Sequence, residues 1–357
     1  MPGKLLILLY TLLISTMAVC QNQDSSNSRP LTFIGFADVY FAYNMNQPGS
    51  HRQPDIIYSH NRHNEINLNN AVIGIQYNKE NLRSAISFHT GTYVQANYAS
   101  EPSSLRHIYE AYVGYSPCKK VWLDAGIFSS HIGFESALSI NNPTLSRSMM
   151  AENTPYYETG LKLTYTPNER LSFCGLILNG WQNIAENNNN KAIGSQVQYK
   201  PAGNILFNSS TFIGKETPGY DTVSSMRYFH NFYNQMEFGR FSITAAFDIG
   251  FQNKRNEKGS YLWYNPNLIL RTKTGDKTAV SLRMEYYHDK LGIRINYNIA
   301  GGFQTIAPSL GFDYCPMENF MWRLEGKVFQ SKNKIFTKDN TPTSTEGLIL
   351  TSMAVKF

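Results

Sequence analysis

The sequence predicts an all-β protein, a transmembrane antiparallel up-and-down β-barrel of about 16 strands. Three observations carry that expectation. Period-2 alternation of apolar and polar residues recurs along the chain, while helical periodicity is nearly absent. The alternating runs are about 10–14 residues long, right for a tilted membrane-crossing strand and long for a soluble sheet. The connections between them alternate between short and long, as in a barrel with turns on one side of a membrane and loops on the other.

The first element is "MPGKLLILLYTLLISTMAVCQNQ". Lys4 precedes an apolar run from Leu5 to Met17, and Ala18-Val19-Cys20 offers small residues for cleavage before Gln21. That is the layout of a secretory signal peptide over residues 1–20. A lipid anchor on Cys20 is the competing reading, and Val19 fits it poorly. Residues 21–30 read as a flexible polar leader, and residues 31–357 as a single barrel domain. Beyond the leader no apolar run is long enough for a spanning helix. Mean hydropathy is −0.35, which a soluble protein shares with a barrel whose alternate residues face lipid. The net charge of +6 is spread along the chain, with no basic cluster for nucleic acid. Cys118, Cys174 and Cys315 are too few for a disulfide framework. A bridge between Cys118 and Cys315, both in turn-like segments, is left open beside three unpaired thiols.

The strands follow. In "RFSITAAFDIGFQ", Phe241, Ile243, Ala245, Phe247, Ile249 and Phe251 share one face. Ser242, Thr244, Ala246, Asp248, Gly250 and Gln252 share the other. "TAVSLRMEYYH" sets Val280, Leu282 and Met284 against Ser281, Arg283 and Glu285. "LRHIYEAYVGY" sets Arg106, Glu110 and Tyr112 against Leu105, Tyr109 and Val113. "FMWRLEGKVF" sets Arg323, Glu325 and Lys327 against Trp322, Leu324 and Val328. Short connections fall at 78–81, 116–120, 166–169, 200–204, 237–240, 273–277 and 315–319. Longer ones fall near 45–63, 97–104, 130–153, 181–191, 216–224, 253–258, 288–300 and 331–344. Together they imply about 16 strands, with roughly 14 to 18 as the range, because 288–300 also reads as strand. An even count places both termini on the periplasmic side. Tyr40, Tyr43, Tyr77, Tyr115, Tyr165, Tyr199 and Trp322 suit girdles at the membrane interfaces.

The chain closes on "EGLILTSMAVKF", an amphipathic strand ending in Phe357. Such an ending is similar to the assembly signal of bacterial outer-membrane barrels, which implies the barrel-assembly machinery as a partner. The segments "FADVYFAYN", "YEAYVGY", "LDAGIFSSHIGFES", "NNPTLSRSMM", "PYYETGLKLTY" and "LILNGWQN" resemble the OmpL-like β-barrel porin family of Gram-negative outer membranes. That resemblance is most specific over residues 33–182 and rests on strand pattern beyond them. It implies an outer-membrane barrel and solute diffusion, and it supplies no substrate and no catalytic residue.

No catalytic, cofactor or metal site is expected. The glycines of "DAGIF", "HIGFE" and "ETGLK" precede no helix, so they are no phosphate cradle and instead relieve crowding or allow bends. His60 and His63 in "SHNRH" read as solvated loop histidines, and His89 as a lumen residue lining water. No G-x-S-x-G occurs. By strand phase Arg83, Arg106, Glu110, Asp124, Glu158, Lys162, Asp248, Arg283, Glu285, Arg323, Glu325 and Lys327 face the lumen. In hydrocarbon a mid-depth Arg or Lys costs about 2–4 kcal/mol, and in a wet channel it need not.

"SHIGFESALSINNPTLSRSMMAE" (130–152) follows the fifth strand on the outer side. It is too long for a turn and too apolar for a solvated loop. General porins fold a constriction loop inward at that position, an analogy of place. Ile140, Leu145, Met149 and Met150 would then pack on the wall while Glu135, Arg147 and Glu152 reach the channel. The function expected is an outer-membrane porin passing small hydrophilic solutes. The rivals are a non-conducting anchor or adhesin and a barrel enzyme. Outer-membrane lipid is the expected surround, and the oligomeric state is left open.

Overall fold

A computed structural model describes residues 30–218, 222–255 and 258–357. The expected signal peptide and most of the leader lie outside the described residues. The wall is built from β1 (Leu31–Asn44), β2 (Ile66–Lys79), β3 (Leu82–Thr90), β4 (Ile108–Cys118), β5 (Val121–Ser129) and β6 (Tyr157–Asn168). It continues through β7 (Leu171–Leu178), β8 (Ala192–Ala202), β9 (Ile205–Glu216), β10 (Ser225–Phe238), β11 (Phe241–Asn253), β12 (Ser260–Lys273) and β13 (Thr278–Asp289). β14 (Phe303–Ile306) and β15 (Ser309–Met317) are two segments of one wall strand, since both pair with β13 and with β16 (Phe320–Ser331). Pro308 lacks an amide N–H and sits in the gap between them, as expected for proline inside a sheet. A small hairpin, β17 (Phe336–Lys338) with β18 (Thr341–Thr343), decorates the loop before β19 (Thr345–Lys356).

Each wall strand pairs antiparallel with its neighbour, and β19 pairs with β1 to close a 16-stranded barrel. At the seam the Gly35 amide donates to the Phe357 carbonyl (2.7 Å) and the Phe357 amide to Gly35 (2.9 Å). One end of the barrel carries two-to-four-residue turns and the other the long loops, matching the predicted alternation. The doubtful stretch 288–300 is a connection, between β13 and β14.

The alternation has a physical cause. Outward positions such as Ile73, Val113, Leu161, Leu163, Ile193, Leu282, Leu310 and Met353 are exposed, while the polar partners on the inner face are buried or partly buried. This inverts a soluble protein and suits a wall facing hydrocarbon. Tyr77, Tyr115, Tyr165 and Tyr199 point outward near the short-turn end, as a girdle requires. Tyr40 does not join them: it is 2% exposed and points inward, with its hydroxyl against Thr92 Oγ1 (3.1 Å).

Two local departures matter. β3 stops at Thr90, and a short helix α1 (Thr92–Asn97) follows where the sequence reads as strand. Gly91 makes the change, with φ of 134°, and a Cβ there would lie 2.3 Å from the Asn69 carbonyl oxygen. The register of β4 then slips between Ser87 and Phe88 of its partner. Tyr109 therefore turns toward His89 (ring centroids 5.5 Å apart), and Arg106 falls outside the wall.

Candidate functional site: a loop clasped inside the barrel

The 130–156 loop is folded into the lumen. Its neck is tied by Ser130 N–H to the Tyr156 carbonyl (3.0 Å) and by His131, whose Nδ1 meets Glu158 at 2.9 Å and whose Nε2 meets the Thr211 carbonyl at 2.8 Å. Burial opposes a charge on His131, yet Glu158 and these acceptors outweigh it and hold its pKa above the usual value. The loop then crosses the barrel. Ile140, in a short 3-10 turn (Ser139–Asn141), packs with Phe36, Val72 and Ala354 on β1, β2 and β19.

On its way back the loop is clasped by the far wall, mainly through its own backbone. Arg323 donates to the Ser139 carbonyl (2.8 Å) and Arg271 to that of Pro143 (2.9 Å). Arg283 donates to the Ser146 carbonyl (3.0 Å), to Thr144 Oγ1 and to Glu135 (2.7 Å). Lys327 reaches the Arg147 carbonyl (2.9 Å) and Glu285 (2.7 Å). Glu325 accepts from Ser146 N–H (2.8 Å) and Oγ (2.5 Å), and Glu285 from Met149 N–H (2.7 Å). The loop ends in a helical turn, α2 (Met149–Glu152), capped by Ser148 Oγ accepting from Ala151 N–H (3.1 Å). Leu145, Met149 and Met150 are each under 3% exposed and pack on the wall, as the apolar pattern requires.

The three charges expected to reach the channel do not. Glu135 (9%), Arg147 (2%) and Glu152 (7%) are buried. A loop crossing a barrel must satisfy its backbone polar groups somewhere, and charged side chains satisfy them most strongly. Glu135 accepts from Ser148 N–H (3.1 Å) beside Arg283, and Arg147 donates to the Ala137 carbonyl (2.8 Å). Glu152 accepts from Tyr58 N–H (3.1 Å) and Ser59 N–H (3.2 Å) of the 45–65 loop, and burial pushes its pKa up to about 7. By the same logic Arg283, Glu285, Arg323, Glu325 and Lys327 face inward as predicted but are anchors, with none more than 3% exposed.

The remaining predicted positions divide. Asp248 is buried against Asn231 Nδ2 (2.6 Å), and Glu110 against Ser87 Oγ (3.1 Å). Asp124 is buried under Arg83 (2.5 Å) and Lys162 (3.8 Å), which are 28% and 23% exposed. Arg106 binds the carbonyls of Glu101 and Ala99 within its own loop. The histidine expectations fail. His60 is fully buried against Asp38 (3.0 Å), tying the 45–65 loop to β1, and His63 is 4% exposed. His89 is 3% exposed among Tyr93, Tyr98 and Tyr109. Sequence reasoning missed Asp38, Asp313 and Arg271. Asp38 carried a signal, a lone acid on the inward parity of an apolar strand; Asp313, which holds Arg323 (2.7 Å) and Arg271, carried the same one.

Two cavities flank the loop. The one at the long-loop end has about 550 Å³ and is lined by Trp181, Gln182, Glu216, Arg227, Arg294 and the end of the loop at Glu152. The other, about 300 Å³, lies toward the short turns between Ile140–Pro143 and β10–β12. Cys118, Cys174 and Cys315 are free thiols, and no group of His, Cys, Asp or Glu among the described residues is arranged to hold a metal.

A closed 16-stranded barrel, apolar outside, with its third long loop clasped in a polar lumen, is a porin-type barrel. The chain belongs to the family described as "Putative beta-barrel porin-2, OmpL-like", whose profile matches residues 30–357, well beyond the segments that carry the resemblance in the sequence. No curated protein matches the chain. Among solved structures it is similar to OmpT of Vibrio cholerae in its trimer form (TM-score 0.61, 9% identity, 92% of this chain and 99% of that one). It is also similar to an anion-selective porin from Comamonas acidovorans (0.60, 9%, 92% and 99%) and to the outer membrane channel DcaP of Acinetobacter baumannii (0.60, 8%, 92% and 97%). At such identities the likeness concerns the fold; the family makes the chain an outer-membrane porin.

Proposed function

We propose that the protein is a passive diffusion channel for small hydrophilic solutes across the outer membrane of a Gram-negative bacterium. It is exported by a cleaved signal peptide, has both termini in the periplasm, and meets the barrel-assembly machinery through the strand ending in Phe357. The observation that carries the reading is the lumen itself. It is polar, crossed by one loop, and hollow on both sides of that loop. A barrel of this strand number is too wide for wall side chains alone to fill. No step of covalent chemistry is assigned to it.

A second reading, a non-conducting barrel that displays its outer loops, is favoured by one specific observation. The two cavities share no lining residue, and buried ion pairs lie between them. Planar-bilayer recording of pure, folded protein separates the two. Discrete conductance steps are expected; their absence over repeated insertions sinks the channel reading and leaves the anchor.

A further inference from the structure

We propose that solutes pass the short-turn half of the β3–β8 wall and that this stretch favours anions, with Arg83 and Lys162 setting the preference. The inference rests on the channel reading above.

The loop covers one half of the barrel. On β10–β13, β15, β16 and β19 the inward charges Arg227, Asp248, Glu285, Asp313, Arg323 and Glu325 are all buried, and the exception, Arg271 on β12, is 21% exposed and is spent on Asp313 and the Pro143 carbonyl. Opposite the loop, in the half nearest the short turns, the inward residues Tyr112, Lys162, Thr164, Cys174, Gln196 and Gln198 stay partly exposed, as does Arg83, while Ser87, Phe128, Glu158 and Leu176 of the same strands, nearer the long loops, are buried. Water entering from the short-turn end therefore meets that half of the β3–β8 wall.

The charges it meets there have one sign. Asp124 is wholly buried, with Arg83 and Lys162 over it. Arg83 lies over the Trp122 ring (4.3 Å to the centroid) and Lys162 over Phe128 (4.3 Å), so aromatic faces brace both cations. Glu110, the next carboxylate on this wall, is 9% exposed and bonded to Ser87. Glu158 is fully buried against His131. Past the loop the pattern repeats: in the larger cavity Glu152, Glu216 and Arg227 are buried, and Arg294 is the partly exposed charge. Glu237 stands outside this set, at the lip beside Arg240.

Buried carboxylates outnumber buried cations in the interior, so contact and distance have to be weighed. In about 1 M salt the screening length is roughly 3 Å. A permeating ion then feels the charges it touches far more than those held behind the loop. Fixed charge lining a cleft raises counter-ion concentration by about tenfold or more at low salt, and by less as salt screens it.

The test is the reversal potential of the full, folded protein in planar bilayers under a steep KCl gradient at high salt. Chloride permeability is expected to exceed that of potassium several-fold. Lys162→Gln is expected to bring the ratio toward unity, and Arg83→Gln with Lys162→Gln to invert it by baring Asp124. The ammonium of Lys162 is 3.8 Å from Asp124 and partly exposed, so its single variant remains informative if the double variant does not fold. Potassium preference in the wild type, or an unchanged ratio in Lys162→Gln, overturns the proposal while the channel stands. No conductance steps at all overturns the channel and this inference with it.

Discussion

The two halves of the lumen use the same residue types for opposite ends. On the β12–β16 side Arg283, Lys327 and Glu325 are spent on the backbone of the 130–156 loop, and water does not reach them. On the β3–β6 side Arg83 and Lys162 hold no loop and remain wetted. Both sets obey the same parity and look alike in sequence. A charged inward residue in a barrel thus has two fates, anchor or lining, and the loop's path decides between them.

The sharpest way to break this contrast is Arg283→Ala. It strips Glu135 of its buried partner, and removing one member of such a pair typically costs about 3–5 kcal/mol. The loop should come free, which limited trypsin cleavage after Arg147 and an increase in conductance would both register. Arg83→Ala leaves Asp124 with Lys162 and with lumen water, so it should cost less than Arg283→Ala and leave Arg147 protected. Equal protease sensitivity of the two variants would erase the distinction.

A smaller effect maps which wall is wet. In a background lacking Cys118 and Cys315, Cys174 should react with a charged methanethiosulfonate reagent and lower the conductance, because it faces the open side. A cysteine placed at Ser281, 1% exposed beneath the loop, should stay unreacted in native protein. Reaction at both positions, counted by mass, would mean the loop does not cover its wall.

The smallest expected effect concerns the contact between the 130–156 loop and the 45–65 loop. Glu152 has its pKa raised by burial to about 7, so the folded state holds a proton that the unfolded state has released. Stability contributed at this site falls as pH rises from the ordinary carboxyl range through about 7. Glu152→Gln keeps an acceptor for Tyr58 and Ser59 while abolishing the titration. Thermal melts in detergent at about pH 5.5 and pH 8 should differ less in the variant than in the wild type. An identical pH dependence in both proteins would remove Glu152 from the account.

Much of the wall was legible because lipid imposes its own rule on every strand. Phe247 and Asp248 are told apart by parity alone, since one side must face hydrocarbon. The inward fold of the loop was legible for a related reason, as Leu145 and Met149 have nowhere else to go. The partners of Glu135 and Glu325 were not. Arg283 and Ser146 lie 148 and 179 residues from them, and no local pattern encodes such a pairing. His60 misled because its neighbours Asn61 and Arg62 are polar, while the group that buries it, Asp38, belongs to another strand. Arg106 misled because β4 begins only at Ile108, so strand parity does not reach it, and its guanidinium serves the carbonyls of its own loop.

The seam between β1 and β19 differs from every other pairing in the wall. Every other wall pairing joins strands near in sequence and is open to early formation as a hairpin. The seam joins the Phe36 and Lys356 ends of the chain, so until β19 docks the sheet carries two bare edges able to pair with any other strand. An unclosed wall would be a sticky one. The amide and carbonyl of Phe357, both bonded to Gly35, are where that exposure ends.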